Sequence, residues 1–241
     1  MSDALLLRHR DVWSRKPILR ALYGHWYREI ASHLKPGPTV EIGGGTGNLK
    51  EFAPNVICTD LVPTPWLDAV ADAQRLPFSS ASLSNMVLFD ALHHIEQIRL
   101  FFDEAVRVLC PGGRIVVMDP YISWLSWPVY QFLHSEPVDL RQDPMSVETF
   151  REGRKPFDSN QAVATIVFER SFGDFQRRYP QLHKLVHRRQ AFLAYPLSGG
   201  FDHRSLVPMF FLEPLLALER ALSFLDRYLA FRILVVLERL A

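Results

Sequence analysis

Cysteine is scarce in this sequence. Only Cys58 and Cys110 occur in 241 residues, too few for a disulfide framework or a cysteine-based zinc site, so no metal is expected. Excess charge is also missing. The 27 basic and 26 acidic residues leave a net charge of +1, which provides no overall field to hold nucleic acid and leaves only local basic patches open. Nor is there a long apolar run. The two most apolar stretches, 115–134 and 210–240, are interrupted by Asp119 and by Glu213, Glu219, Arg220, Asp226, Arg227 and Arg232, whereas a spanning helix needs about 20 apolar residues. The N-terminal run MSDALLLRHRDVW meets charge too soon for a signal peptide. The sequence shows no repeat and no low-complexity tract. A soluble, cytoplasmic protein is therefore expected, with peripheral membrane contact left open.

A hydrophobic share of 48% excludes global disorder, and the length suits one large α/β domain or a domain with an added subdomain. Trp13, Ile18, Leu19, Leu22, Trp26 and Ile30 recur at helical spacing, which predicts a helical extension over 1–36, ended by Pro36-Gly37-Pro38. Four short apolar runs follow, Thr39–Ile42, Val56–Asp60, 86–90 and 114–119, separated by helical patterns placed at 48–52, 65–71 and 97–109. This alternation predicts parallel strands with crossover helices, covered on both faces. Beyond Pro120, residues 121–134 are apolar and aromatic and read as helical at first, then loop-like through Pro137 and Pro144. Residues 162–170 read as a strand, 215–229 as a helix, and 231–240 as a final strand because Ile233, Val235 and Val236 are β-branched. The expected divisions are a helical extension (1–36), a ligand-binding core (37–120) and a substrate-covering part that completes the sheet (121–241).

The most informative stretch is Thr39-Val40-Glu41-Ile42-Gly43-Gly44-Gly45-Thr46-Gly47-Asn48. An apolar strand runs into four glycines, which lets a ligand rest directly on the main chain at the crevice where open α/β sheets bind nucleotides. Asp60 ends the next strand at the interval of a ribose-binding acid, and Asp72 follows the third. The loop lacks the Lys-Ser/Thr ending of a phosphate cradle, and Glu41 would repel a pyrophosphate. Several acids without a nearby Lys or Arg suit a phosphate-free, positively charged ligand. An adenosine carrying sulfonium and ammonium groups, S-adenosylmethionine, has those properties.

At this point a family resemblance appears in the residues. Glu41-Ile-Gly43-Gly-Gly45-Thr-Gly47 resembles the first motif of class I S-adenosylmethionine-dependent methyltransferases. Val56 to Leu61 resembles their second-strand motif, and Asp72-Ala73 with Leu76-Pro77-Phe78 their adenine-binding segment. Phe89-Asp90-Ala91-Leu92-His93-His94-Ile95 is similar to the fourth-strand motif, and residues 107–114 to the turn before strand five. The matches fall in order over residues 40–120, nearest in flavour to the small-molecule branch that includes quinone-biosynthesis methyltransferases. The resemblance implies a Rossmann-like, doubly wound α/β fold with a seven-stranded sheet, mostly parallel with an antiparallel last strand, strands six and seven falling at 162–170 and 231–240. It implies that Glu41, Gly43, Gly45 and Gly47 hold the methionine portion of the cofactor, Asp60 the ribose, and Leu61, Asp72 and Ala73 the adenine, with Asp90 also on the cofactor. Ser84-Asn85 departs from the acidic residue common at the entry to strand four, a position that serves structure.

Methyl transfer needs a nucleophile positioned near the methyl, and a base only where the acceptor is protonated. His93 or His94 could take that proton, His94 being the better candidate, or one could pack while the other caps or faces solvent. Tyr121 to Tyr130 is rich in aromatics and precedes His134-Ser135-Glu136. It reads either as a lid over a hydrophobic acceptor, with His134 a second catalytic candidate, or as a core-packing stripe with a solvated His-Glu pair. The basic run Arg177, Arg178, His183, Lys184, His187, Arg188 and Arg189 reads as a solvated helix face or as a site for acidic groups, including anionic lipid. The expected activity is methylation, on oxygen, of a small, apolar or lipid-like molecule. The other readings are a catalytically silent relative that binds cofactor or a partner protein, and, more remotely, a nucleic-acid methyltransferase, for which the Asn-Pro-Pro-Tyr type of motif is missing.

Overall fold

In the computed structural model, which describes residues 2–146 and 158–240, the chain builds a seven-stranded sheet. Its strands are β1 Thr39–Ile42, β2 Val56–Asp60, β3 Ala69–Val70, β4 Leu83–Phe89, β5 Leu109–Pro120, β6 Leu182–Gln190 and β7 Arg232–Arg239. They lie in the order β3-β2-β1-β4-β5-β7-β6. Strands β1 to β5 pair in parallel, and β7 runs antiparallel to both β5 and β6. The chain winds outward from β1 through β2 to β3, then returns to lay β4 on the other side of β1. That reversal opens a crevice at the carboxyl ends of β1 and β4.

Both faces of the sheet are covered, which explains the near-continuous apolar strands. Met86, Leu88, Ile115, Val117, Ile233 and Val235 join one core with Phe101, Phe102 and Phe175, the latter from helices α3 (Ile98–Val108) and α6 (Phe172–Arg178). Their neighbours Val87, Phe89, Val116, Met118, Leu234 and Val236 join the opposite core with Trp13, Trp26 and Tyr27. Those rings come from α1 (Ser2–Arg15) and α2 (Pro17–Ser32). Helix α2 starts on Pro17, whose missing N–H costs nothing in a first turn. Its Ile18, Leu19, Leu22, Trp26 and Ile30 form the buried stripe read from the sequence.

Three expectations are corrected. Residues 65–71 form no helix: Pro63 precedes the segment and Pro65 opens it, Trp66 Nε1 donates to the Gly45 carbonyl at 2.9 Å, and Asp68 accepts from the Cys58 amide at 2.8 Å. These anchors hold the chain near-extended into β3. Residues 162–170 are helical, as α5 (Val163–Thr165) followed by the wide-turn helix Ile166–Arg170. Residues 162–168 are all buried, so the apparent alternation had no exposed face to mark. The sixth strand is instead β6, an outer strand whose charged side chains discourage further pairing. It carries His183, Lys184, His187, Arg188 and Arg189, so the basic run is not a helix face, and much of it is paired: Arg188 with Glu29, and His187 and Arg189 with Glu169.

The helix expected from Tyr121 starts later, at Ser126, and gives way to loop after Leu133 as expected. Tyr121 to Ser123 continues out of β5, reciprocal bonds between Ser123 and Ser126 turn the chain, and α4 spans Ser126–Leu133. The expected last strand matches β7, and the helical pattern at 215–229 is met by α8 (Leu212–Ala221) and α9 (Asp226–Leu229), joined by a single tighter turn.

Asn85, in place of an acid, has a structural task. Fully buried, it donates to the Lys35 carbonyl and Thr39 Oγ1 and accepts from the Lys35 amide at 2.7–2.8 Å. It thereby ties the 33–38 linker to β4. Asn85→Ala leaves the Lys35 groups without these partners and should lower stability by about 2–3 kcal/mol in urea denaturation.

Candidate functional site

A cavity of about 450 Å³ occupies the crevice at the carboxyl ends of the parallel strands. Its floor is the glycine loop after β1. Gly43 has φ +68°, and a Cβ there would lie 2.7 Å from Ala91 Cβ, so no other residue fits. Of the residues expected to hold a ligand, Glu41, Gly43, Gly45, Asp60, Leu61, Asp72, Ala73 and Asp90 all line this cavity, as do His94 and His134. Gly47 does not. It has φ +73° and backs onto Trp66, where a Cβ would stand 3.3 Å from the ring, so it serves the turn.

The acids are individually placed. Asp60 accepts from the Gly45 amide with one oxygen and from the Val62 amide with the other, each at 3.0 Å. It thus braces the loop while facing the cavity. Asp72 accepts from Gln74. Glu41 is 3% exposed, and burial pushes its carboxyl up to about 7 against the opposing effect of the Cys58 thiol, which donates to it at 2.9 Å. Burial and the Glu41 carboxylate in turn push the Cys58 thiol up. Leu61 stands at the rim, half exposed.

Asp90 is not a free acceptor. It ends β4 with φ +53° and grips the guanidinium of Arg232, whose Nη2 donates to Oδ2 at 2.9 Å and whose Nη1 donates to Oδ1. Arg232 is 2% exposed and lies 4.6–5.6 Å from the ring centres of Tyr23, Trp26, Phe89 and Tyr195. The sequence reading missed this residue. Its signal was an arginine opening an otherwise apolar strand, FRILVVL.

The far wall carries a histidine–carboxylate cluster. The short turn Leu92–His94 after β4 delivers both histidines, β5 ends near Asp119, and Glu136 follows α4. His93 is buried, with Nδ1 2.9 Å from Asp119 Oδ1 and Nε2 3.2 Å from Glu136 Oε2. Burial alone would lower its pKa, but the two carboxylates overcome this and push it up to about 10. His94 stacks 4.2 Å from the His93 ring, with Nε2 3.7 Å from Glu136 Oε1. Burial and the adjacent His93 push it down to about 4, so at neutral pH it is uncharged and a weak base. Burial would raise Glu136, yet His93 holds it down at about 2. Gln161 donates to Glu136, and His134 Nδ1 accepts from the Glu136 amide at 3.3 Å. The structure therefore brings His94 and His134 to one wall, but around a pair, His93 and Glu136, that the sequence ranked below them. Asp119 had been noted only as the end of a strand.

On the opposite side, α1 contributes Leu5, Leu6 and His9 to the lining. The two arginines of the lining are both occupied: Arg8 pairs with Asp202 at 2.5 Å and Arg232 with Asp90. The crevice thus presents main chain and carboxylates, and among the described residues no lysine lines it.

The comparisons with known proteins agree with this geometry. The family described as Methyltransferase domain matches residues 40–117, the stretch that forms β1 to the middle of β5. Over residues 40–117 this chain is similar to the methyltransferase-domain family. A ubiquinone/menaquinone biosynthesis C-methyltransferase of Paracoccus denitrificans is 29% identical to this chain over 116 residues, covering 44% of the chain and 46% of the relative. The chain therefore spans about half the length of the curated relative it matches. A methyltransferase of Archaeoglobus fulgidus superposes with a TM-score of 0.55 at 12% identity, over 91% of this chain and 94% of that one. A geranyl diphosphate C-methyltransferase of Streptomyces coelicolor, solved with Mg2+, geranyl diphosphate and S-adenosyl-L-homocysteine, gives 0.52 at 14% identity, over 92% and 81%. At such identities these structures show that the fold of the methyltransferase domain extends across nearly the whole chain.

The buried Glu41 carboxyl makes a measurable contribution. With its folded pKa near 7 against 4.5 unfolded, the folded protein holds a proton the unfolded chain has lost between those values. Its contribution is complete below about pH 4.5 and disappears as pH rises through 7. Glu41→Gln should accordingly match the wild type in stability near pH 4.5 and exceed it by about 3 kcal/mol at pH 8, as read from denaturant midpoints.

Proposed function

We propose that this protein is an S-adenosylmethionine-dependent methyltransferase acting on a small, apolar acceptor. The observation that carries the reading is the charge arrangement of the crevice: bare glycine backbone with Glu41, Asp60 and Asp72 on its walls and both lining arginines already paired. Among the described residues a pyrophosphate would meet carboxylates and no unpaired arginine or lysine. A nucleoside bearing ammonium and sulfonium charges meets complementary groups.

The residues fit that cofactor. Gly43 and Gly45 present main chain without side chains to the cavity, Asp60 is held in place by two amides with lone pairs remaining for ribose hydroxyls, and Asp72 and Ala73 also line the cavity for the adenine edge. Gly47 is left out of this set because it faces Trp66, and Asp90 acts through Arg232 as a fixed wall. When bound, the cofactor supplies an electrophilic methyl on sulfur. The protein's part is to exclude water, hold the acceptor in line and deal with its proton.

The acceptor side is supplied by residues 121–241. Tyr130 of α4, His134, Ser135, Glu136 and Gln161 line the cavity, and we assign them to the acceptor. An acceptor methylated on oxygen must present a deprotonated hydroxyl, and the His93–Glu136 cluster is the concentration of polar groups at that wall. His94 and His134 belong to that wall as orienting groups; the lowered basicity of His94 makes it a poor proton acceptor.

A lipid-like acceptor is supported by the outer surface of α4. Tyr130 faces inward, whereas Trp127, Phe132 and Leu133 are exposed, and Trp124, 82% exposed, packs edge-on against Tyr228. Tryptophan and tyrosine favour membrane interfaces. Among the described residues no helix is long and apolar enough to cross a membrane, so the contact would be peripheral, made by rings more than by the largely paired basic run.

Two measurements test this. Calorimetric titration with S-adenosylhomocysteine should show one site, and Asp60→Ala should weaken it by roughly 1.5–3 kcal/mol, about 10- to 150-fold; unaltered affinity in a folded variant would remove Asp60 from the site. Wild-type protein should co-sediment with phospholipid vesicles and Trp124→Ala/Phe132→Ala should not. Failure of the wild type to bind at low salt ends the membrane part of the reading.

A further inference from the structure

The cluster on the far wall has the composition and spacing of a metal centre. Among the described residues, one donor atom each from His93, His94 and Glu136 lies within 4.8 Å of the others. Bonds of about 2.0–2.2 Å to a four-coordinate ion would place donor atoms about 3.4 Å apart. The observed separations are 3.2 Å from His93 Nε2 to Glu136 Oε2 and 3.7 Å from His94 Nε2 to Glu136 Oε1. The whole set of donors lies within 4.8 Å, so ligation requires them to draw together around one ion without rearranging the fold.

The surroundings add the features that orient metal ligands. Asp119, fully buried, takes the Nδ1 side of His93 at 2.9 Å, leaving Nε2 to face Glu136; a carboxylate behind a ligating histidine fixes its tautomer and raises its donor strength. Gln161 donates to Glu136 and holds the carboxylate toward the histidines. The other amide atom, Gln161 Oε1, is buried without a hydrogen-bond partner among the described residues, and Gln161 lines the same cavity, where water on an ion could donate to it. Two acids, Asp119 and Glu136, supply the negative charge to balance a dication.

We propose that His93, His94 and Glu136 bind one divalent first-row transition-metal ion in the acceptor wall of the crevice. Two imidazoles and a carboxylate suit zinc, iron, cobalt or manganese better than magnesium or calcium, which favour all-oxygen shells. Three protein ligands leave a position open toward the cavity, as catalytic sites require. Scarce cysteine had argued against a metal in the sequence; the donors are nitrogen and oxygen, and Glu136 reaches the histidines only through the fold.

The role follows from the proposed methyl transfer and rests on that reading. An acceptor hydroxyl on the open position becomes more acidic and releases its proton to water. Its oxygen then takes the methyl, forming the C–O bond as the C–S bond breaks and the sulfonium leaves as a neutral thioether.

The test uses the full-length protein stripped with chelator and dialysed, then titrated with Zn2+ and with Co2+. The wild type should take up one equivalent of either, with Co2+ giving the visible absorption of a nitrogen-ligated, low-coordinate site. His94→Ala and Glu136→Gln should each weaken Zn2+ at least tenfold, and Asp119→Asn, which removes only the orienting charge, about 10- to 100-fold. His183→Ala, an exposed histidine on β6, controls for surface binding and should change nothing. Glu136→Gln preserves side-chain shape, so it separates lost ligation from lost folding. No stoichiometric uptake by the wild type, or uptake that survives Glu136→Gln and His94→Ala, overturns the proposal. Titrating the same stripped protein with S-adenosylhomocysteine separates the two readings: cofactor bound without metal uptake ends the metal site alone, and neither bound ends both.

Discussion

A guanidinium taken out of water must keep its counter-charge, and Arg232 has one carboxylate to meet that need. The Asp90–Arg232 pair joins parts of the chain that are far apart in sequence: β4, the first residue of β7, and the aromatic rings of α2 and α7 (Ala194–Ser198). Removing Asp90 would leave the buried Arg232 charge unpaired, a loss of about 3–5 kcal/mol. The pair also holds Asp90 at positive φ, a conformation awkward for a residue with a Cβ. The shape of the cavity wall, the seating of the N-terminal helices and the entry of the antiparallel strand therefore depend on the same contact.

Around that fixed point the crevice separates two kinds of electrostatics. On the loop side, Glu41, Asp60 and Asp72 lie close to bare backbone and have only neutral partners, namely amides and a thiol. They can respond to an incoming cation. On the far side, the carboxylates of Asp119 and Glu136 are committed to His93. One wall is arranged for a charged ligand that comes and goes, the other for a permanent polar assembly. Such a division suits a reaction with a cationic donor and an acceptor that must lose a proton.

Much of this was legible in the residues. β1 and β2 were readable to the residue because each is a short apolar run closed by a glycine or an aspartate. The order of acids after the glycine loop foretold which side chains would line the cavity. What stayed hidden was tertiary. Residues 162–168 are buried on all sides, so their pattern could not separate strand from helix. β6 reads as polar because its outer edge faces solvent. Gly47 belongs to the loop in sequence but turns away toward Trp66, a contact made by a segment whose own shape was misread. Asp119 and Arg232 lie on strands where side-chain direction was known, but the partners that give them a role arrive from other elements.

The two thiols end up in opposite situations. Cys58 is sealed beneath the crevice against Glu41 and is held in its protonated, unreactive form, while Cys110 opens β5 at the other end of the sheet, partly exposed. A maleimide or haloacetamide reagent would thus attach to Cys110 and spare the ligand pocket. Native chemistry already offers a single handle for a fluorophore or spin label, remote from bound ligand and requiring no cysteine to be engineered away.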